Sequence, residues 1–256
     1  MSKWAIVTGA TAGIGESFTR VLAREGFNIV LVARDLERMK ERAAHLESEF
    51  KVQTAIVQAD LATDNGCAKV ERYISENEIE VLINNAGFGI NKAFSVSNLE
   101  SEQQLLDVLV RTPMRLMHMV IPQMKSRNSG SIINVSSIAG WIAGGTYSAS
   151  KSYLTVLSES LHTEMKGTAI KISALCPGFT RTEFHERGRM RMDAVPNFLW
   201  LRSDRVAYQS WKENQSGKVL SIPGWQYLIL STISRYGPRP LVRKIGMKVR
   251  VRQRQK

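Results

Sequence analysis

Residues 4–15 read WAIVTGATAGIG. A short apolar run ends at Thr8, and glycines follow at 9, 13 and 15. From Ile14 to Glu25 the pattern turns helical, and Gly26 supplies the stop. The stretch therefore predicts a buried strand, a tight glycine turn and a helix. The same alternation runs on through the chain. Strands are expected at 29–33, 52–59, 81–84, 131–136, 170–176 and 218–222, with helices at 36–50, 63–76, about 100–125, 147–165 and 203–211. Ser203 is the expected cap of the last of these. Strands alternating with helices predict βαβ units and a parallel sheet. The strands are continuous apolar runs, as expected when helices cover both faces. The fold class is α/β: a doubly wound Rossmann-type sheet of about seven strands.

The chain has 256 residues, 43% of them hydrophobic and 23% charged, which suits a globular α/β body rather than a disordered or membrane-spanning one. One body is expected over 1–234, followed by a tail at 235–256. No run approaches the roughly 18 apolar residues of a spanning helix. Two cysteines, Cys67 and Cys176, are too few for a disulfide framework. With no leader pattern at the N-terminus, the expected location is cytoplasmic. The net charge is +12, but nine basic and no acidic residues fall between 235 and 256, leaving +3 for the remainder. Any argument about anionic partners is therefore an argument about the tail.

The glycine turn suits a phosphate-bearing ligand. Gly9, Gly13 and Gly15 let the backbone approach a pyrophosphate at the helix N-terminus, with Thr11, Ala12 and Ile14 between them. The end of the second strand selects the dinucleotide. An acidic residue there would bind both ribose hydroxyls. Here Arg34 stands in that place, suited to a 2′-phosphate, so the expected cofactor is NADP(H). Asp35 falls one place late and is expected to cap the next helix. Arg38 stands one turn on, where it can join the phosphate site.

Six motifs follow in order: TGATAGIG (8–15), DL (60–61), NNAG (84–87), NVSS (134–137), YSASK (147–151) and PGFTRT (177–182). In their order and nearly in their spacing they resemble the short-chain dehydrogenase/reductase family, over about residues 3–182. The resemblance implies an oxidoreductase that interconverts a ketone or aldehyde and an alcohol, with hydride supplied by the cofactor and no metal. It implies that Tyr147 exchanges a proton with the substrate oxygen, that Ser137 hydrogen-bonds that oxygen, and that Lys151 holds the nicotinamide ribose. Tyr147 and Lys151 stand four apart, so they share a helix face. A nearby ammonium favours the phenolate of a group that otherwise titrates near pH 10. By the same resemblance Asp60 and Leu61 flank the adenine, and Asn85, Ala86 and Gly87 line the cofactor cleft. Pro177 and Gly178 open a loop that brings Thr180 and Thr182 toward the cofactor. A homodimer or homotetramer is also implied.

Two departures from the family pattern stand out. Ser137 and Tyr147 are ten apart where the family more often has thirteen, so IAGWIAGGT must form a shorter loop. Leu109 occupies the place of an Asn that, in the family, helps anchor a water beside the catalytic Lys. A second reading follows from Leu109: a dinucleotide-binding sensor or interaction protein with little or no turnover.

Residues 179–201, expected to be irregular, carry Phe179, Phe184, Met190, Phe198, Leu199 and Trp200. Such a segment forms either a lid over an apolar, acyl or other lipid substrate or simple packing. Arg181, Arg187, Arg189 and Arg191 on the same stretch fit either an anionic head group or plain solvation. His185 reads as a surface residue. In the tail, Leu241, Ile245 and Val249 recur every four residues among basic side chains, a pattern suited to an anionic membrane surface. Docking on the protein's own core, subunit pairing and a frayed end fit the same pattern. No nucleic-acid-binding module accompanies the basic charge, so no nucleic acid partner is expected.

Overall fold

In this computed structural model the described residues are 3–190, 192–193 and 195–253, with the backbone alone for 245 and 248–253. Arg191, Arg254 and Lys256, and the side chains of Ile245 and Val249, lie outside that description.

Seven parallel strands form the central sheet in the order β3-β2-β1-β4-β5-β6-β9. They are β1 (Trp4–Thr8), β2 (Asn28–Ala33), β3 (Thr54–Gln58), β4 (Ile79–Asn84), β5 (Gly130–Val135), β6 (Ile170–Leu175) and β9 (Leu220–Ser221). Successive side chains on a strand face opposite ways, and here both directions lead to a core. In β1, Ala5 and Val7 join one apolar cluster with Phe18, Leu22, Met39 and Trp211. Ile6, between them, joins the other with Cys67, Val70, Leu116 and Leu154. The helices α1 (Gly13–Arg24), α2 (Leu36–Phe50) and α8 (Ser203–Gln215) cover the first face. The helices α3 (Asp64–Glu76), α5 (Thr112–Arg127) and α6 (Thr146–Glu164) cover the second. The strands read as unbroken apolar runs for this reason.

Helix ends follow their local chemistry. Gly26, at φ +87°, closes α1. Asp35 caps α2 by accepting from the Arg38 amide at 3.0 Å, as its offset from the strand suggested. Thr63 caps α3 through the Gly66 amide at 3.0 Å.

Three expectations need correction. The helix foreseen at 100–125 is two helices, α4 (Leu99–Leu106) and α5, joined by a π-helical turn at Asp107–Arg111. Such widened turns have no signature in apolar periodicity and recur at functional sites. Ser203 is not a cap: Arg202 holds that position, and the Ser203 hydroxyl instead accepts from Ser17 at 3.0 Å, joining α8 to α1. Residues 179–201 are not wholly irregular. They contain β7 (Thr180–Arg181), which pairs in parallel with β8 (Leu201–Arg202), and the short helix α7 (Phe184–Arg187). Two-residue strands are too short to leave a period in the sequence.

Beyond β9 the chain forms α9 (Trp225–Tyr236) and α10 (Arg239–Gln253). Val242 is buried, and a Cβ on Gly246 would lie 3.1 Å from Ile142 Cβ, so α10 packs on the loop that follows β5. Among the described residues no helix is long and apolar enough to cross a membrane.

Gly66 ties the fold to the site. A Cβ there would meet the Asp60 carbonyl oxygen at 1.9 Å, so only glycine lets α3 dock under the Asp60–Leu61 turn. Gly66→Ala is expected to lower unfolding stability by about 1–3 kcal/mol, the usual range for forced overpacking. Urea denaturation checks it, and an unchanged midpoint would contradict the close approach.

Candidate active site

A cleft of about 1130 Å³ opens along the carboxyl ends of the strands. Its first wall is the glycine turn. Gly9 (φ +66°) and Gly13 (φ +59°) both take left-handed backbone angles that other residues adopt at a penalty. Thr11, Ala12 and Ile14 also line the cleft. Gly15 does not. A Cβ on Gly15 would meet the Gly9 carbonyl at 2.2 Å and Asn85 Nδ2 at 2.3 Å, so this glycine packs α1 against the strands rather than facing a ligand. No side chain caps α1 at Ala12. Its first amides and its positive dipole end are thus directed at the cleft, a donor set that fits a diphosphate.

The next wall is held by one hydroxyl. Thr8 Oγ1 donates to the Ile83 carbonyl at 3.2 Å and accepts from the Asn85 and Ala86 amides at 2.9 and 3.0 Å. Asn85 Nδ2 returns bonds to the carbonyls of Thr8 and Gly9 at 2.8 and 3.2 Å. Asn85, Ala86 and Gly87 all line the cleft, as do Asp60 and Leu61. Asp60 Oδ1 accepts from the Ala62 amide at 3.1 Å, which fixes its turn.

Arg34 lies exposed on the lining at the end of β2, with no hydrogen-bond or ionic partner for its guanidinium among the described residues. Arg38 differs from expectation. Its guanidinium is engaged by Glu183 in a forked pair at 2.7 and 3.1 Å, rather than left open for a phosphate. That pair, with Arg187 beside it, holds the Glu183 carboxyl down at about 2. The partner sits 145 residues away in sequence, beyond the reach of any local pattern.

At the far end stand Tyr147, Lys151 and Ser137, all lining the cleft. Tyr147 and Lys151 share one face of α6, and Lys151 Nζ lies 5.6 Å from the centre of the Tyr147 ring. The ammonium donates to the Val135 carbonyl at 2.6 Å. Burial brings the Lys151 pKa down to about 8. Leu109, in the π turn, is buried behind Gly87: a Cβ on Gly87 would meet Leu109 Cδ2 at 2.8 Å and Lys151 Nζ at 3.9 Å. The apolar side chain and the lysine thus approach the same glycine.

The two serines of NVSS separate clearly. Ser136 is buried, with its hydroxyl on the Lys151 carbonyl and on Thr155, both at 2.7 Å. Ser137 starts a 3₁₀ turn at Ile138–Trp141, accepting from the Ala139 amide at 3.1 Å, and is only half-buried. That turn absorbs the short Ser–Tyr spacing.

Pro177, Gly178, Thr180 and Thr182 complete the lining. A Cβ on Gly178 would fall 2.0 Å from the Tyr227 ring, so the glycine is where α9 touches the loop. Tyr227 is fully buried, donates to the Leu199 carbonyl and accepts from the Phe179 amide. Burial pushes its phenol up to about 12. Nothing in the sequence around Tyr227 announces this role.

Over residues 3–192 the chain matches the family described as short chain dehydrogenase. The chain belongs to the short-chain dehydrogenase family. Its relatives include the very-long-chain 3-oxoacyl-CoA reductase-A of Danio rerio, 28% identical over 99% of this chain and 80% of that one. A solved short-chain dehydrogenase from Sphingobium yanoikuyae, in complex with NADPH, is 28% identical with a TM-score of 0.83, covering 99% of this chain and 98% of that one. A bulky-bulky ketone specific alcohol dehydrogenase from Comamonas testosteroni is 29% identical with a TM-score of 0.78, covering 92% and 99%.

The outer wall of this short-chain dehydrogenase is rich in apolar side chains. Phe179, Phe184, Met190 and Leu199 line the cleft, while Phe198 is exposed and Trp200 packs behind. Described residues of the segment from 179 to 201 thus both line the cleft and pack on one another. His185 overturns its reading as a surface residue. Its ring stands 5.4–6.0 Å from those of Phe179, Phe184 and Trp200, and it lines the cleft. Its Nδ1 is buried with no hydrogen-bond partner among the described residues, and burial lowers its pKa, which favours the neutral ring. Arg181 stacks on Trp200 at 5.5 Å and Arg187 pairs with Glu183, so neither is simply solvated.

The lowered Lys151 pKa has a consequence for stability. An unfolded lysine titrates near 10.5, so between about pH 8 and 10.5 the unfolded chain binds the extra proton. Folding stability is therefore expected to rise with pH through that window. A shift of this size corresponds to roughly 3 kcal/mol, at about 1.4 kcal/mol per pH unit. Denaturant midpoints of the cofactor-free protein at pH 7.5 and 9.5 check this against Lys151→Met, which should lose the rise. Parallel profiles would show that the ammonium is better hydrated than its surroundings indicate.

Proposed function

We propose that this short-chain dehydrogenase is an NADPH-dependent reductase of apolar 3-oxoacyl thioesters. One observation carries the reading. A single cleft joins the diphosphate-shaped glycine turn to Tyr147, Lys151 and Ser137, and its outer wall is largely phenylalanine, methionine and leucine. The relative named for 3-oxoacyl-CoA reduction and the NADPH-bound neighbour support it. The unpartnered Arg34 at the end of β2 favours a cofactor carrying a 2′-phosphate.

When bound, a nicotinamide dinucleotide supplies hydride to the carbonyl carbon. The chain's own residues manage the oxygen. Tyr147 gives its phenolic proton to that oxygen as it becomes an alcohol. Ser137 donates a hydrogen bond to it, in place of the long 3.5 Å bond its hydroxyl otherwise gives the Pro177 carbonyl. The Lys151 ammonium, held over the Tyr147 ring by the Val135 carbonyl, stabilises the phenolate left behind. Gly9, Thr11, Ala12, Gly13 and Ile14 cradle the diphosphate. Asp60 and Leu61 bound the adenine, and Asn85, Ala86 and Gly87 bound the cleft beneath. Thr180 and Thr182 close over the nicotinamide side. Gly15 serves by packing alone. The reading includes assembly into two or four copies, a cytoplasmic location and contact with a membrane surface through the tail. The alternative of a non-catalytic sensor draws on Leu109 alone. Leucine there alters how Lys151 is hydrated, while the hydride and Tyr147 steps do not pass through that side chain.

His185 supplies the substrate preference. A 3-oxoacyl thioester carries a second carbonyl two carbons from the reacting one. His185 lines the cleft, and a rotation of its ring brings Nδ1, which has no hydrogen-bond partner among the described residues, to that oxygen, where it donates in the neutral tautomer carrying its proton on Nδ1.

Two measurements test these assignments. Fluorescence titration should show NADPH binding at least about tenfold tighter than NADH, with Arg34→Ala removing most of that preference, since a charge-assisted phosphate contact contributes about 1.5–3 kcal/mol. Equal affinities in the parent would overturn the cofactor assignment. His185→Phe should lower kcat/KM for a 3-oxoacyl-CoA by about tenfold or more while a simple ketone of equal chain length loses less than about threefold. Equal losses would make His185 a packing residue.

A further inference from the structure

The outward face of α9 has the wrong polarity for contact with water. Tyr227, Ser231 and Ser234 turn toward the body: Tyr227 and Ser231 are buried, and Ser234 lines the cleft with Leu230. Trp225, Ile229, Ile233 and Tyr236 recur at i, i+4, i+8 and i+11, one stripe of a helix, and this stripe points away from the protein. Their exposures are 73%, 53%, 51% and 77%, and Leu228 beside them is at 55%. Isolated exposed apolar side chains are ordinary, but an aligned set on one helix marks a contact surface.

Neighbouring elements extend this stripe. Gln226 Nε2 donates to the Phe198 carbonyl at 3.3 Å, placing the 68%-exposed Phe198 of the substrate loop next to the start of α9. At the other end α10 begins, with Leu241 and Met247 also exposed. Arg239, Arg243 and Lys244 are exposed on α10, within the run of nine basic and no acidic residues. Arg235 is the exception, held near Glu159 and over Trp141. Tryptophan and tyrosine at the two ends of an apolar stripe, bordered by uncompensated cations, have the composition of an interfacial helix on an anionic bilayer. A second copy of this chain would bring the same positive charge against itself.

We infer that α9, the start of α10 and Phe198 form one docking surface for an anionic lipid bilayer, placed at the mouth of the catalytic cleft. The same two helices supply Leu230, Ser234 and Gly246 to the cleft lining. The cleft therefore opens beside the docked surface, and an apolar substrate dissolved in the bilayer enters without crossing water. Docking stands on the surface alone; delivery rests on the apolar-substrate reading.

Co-sedimentation of the full chain with phosphatidylcholine vesicles, with and without phosphatidylglycerol, tests the docking without reference to turnover. The parent should partition onto the anionic vesicles about tenfold more strongly than onto the neutral ones, and added salt should weaken that binding. The triple variant Trp225→Ser, Ile229→Ser, Ile233→Ser and the triple variant Arg239→Gln, Arg243→Gln, Lys244→Gln should each lose about tenfold. Thermal melts matching the parent establish that both variants are folded. If a variant melts early, salt dependence of the parent and the other triple decide the matter. A parent that stays in the supernatant, or folded variants that sediment like it, would overturn the inference. So would a parent that binds neither vesicle and becomes a smaller species on gel filtration only when the α9 stripe is changed, since the stripe would then be a subunit contact.

Discussion

One hydroxyl determines where this protein can work. β1 is the strand at which the sheet's order turns, with β2 on one side and β4 on the other. The connections leaving β1 and β4 pass to opposite faces, and a crevice opens between them. Left alone, the backbone groups at that parting would have no ladder partner, a penalty that buried amides rarely bear. Thr8 Oγ1 satisfies the Asn85 and Ala86 amides and the Ile83 carbonyl together, and Asn85 returns the bonds. The crevice is therefore rigid on both lips. Gly9 and Gly15 then bring α1 against it closely enough that a single Cβ would collide with backbone. The glycine turn and the Asn85–Gly87 edge inherit their positions from this arrangement.

The chemical end obeys a different constraint. Among the described residues a buried ammonium donates to the Val135 carbonyl, with Leu109 across Gly87 from it, which is costly for the folded protein and useful for the reaction. An ammonium poorly served by water gains more from a neighbouring negative charge, and a phenolate on Tyr147 is that charge. Leu109 strengthens this effect by removing a polar neighbour. It acts on the electrostatics of the pair rather than on the presence of the chemistry. The small Ser–Tyr spacing is met by a 3₁₀ turn that shortens the loop, and Gly246 of α10 packs against Ile142 at its end.

Much of this was legible in the residues because it is local. Continuous apolar runs reveal strands buried on both faces, and glycine spacing reveals a turn before a helix. A Tyr and a Lys four apart must share a helix face. What escaped depends on partners distant in sequence. Arg38 meets Glu183 on the far side of the cleft, so no neighbour of Arg38 discloses that it is engaged. His185 reads as a loop histidine because Phe179 and Trp200 enclose it only once β7 and β8 have paired. Tyr227 sits in an apolar stretch where any aromatic would look alike, and its role comes from the missing side chain at Gly178. The π turn keeps the apolar spacing of an ordinary helix and so leaves no mark on it. Gly15 reads as a ligand contact from the motif because glycine spacing records where side chains are forbidden. They do not say whether a ligand or the protein's own backbone occupies the space.

The C-terminal helices show the limit of polarity rules from the opposite direction. A surface helix normally keeps its apolar stripe for the core. α9 meets its core with one tyrosine and small hydroxyls, and it turns tryptophan and isoleucine outward. Tyr227 makes this possible. A buried ring, locked between the Gly178 backbone and the Leu199 carbonyl, anchors the helix with a single side chain. The remaining positions are then released from packing duty. The inner face can stay small enough to leave the cleft open, and the outer face is free to be apolar. A helix fastened so economically is a wall with two usable sides. The open cleft and the exposed apolar outer face are consequences of the same anchor.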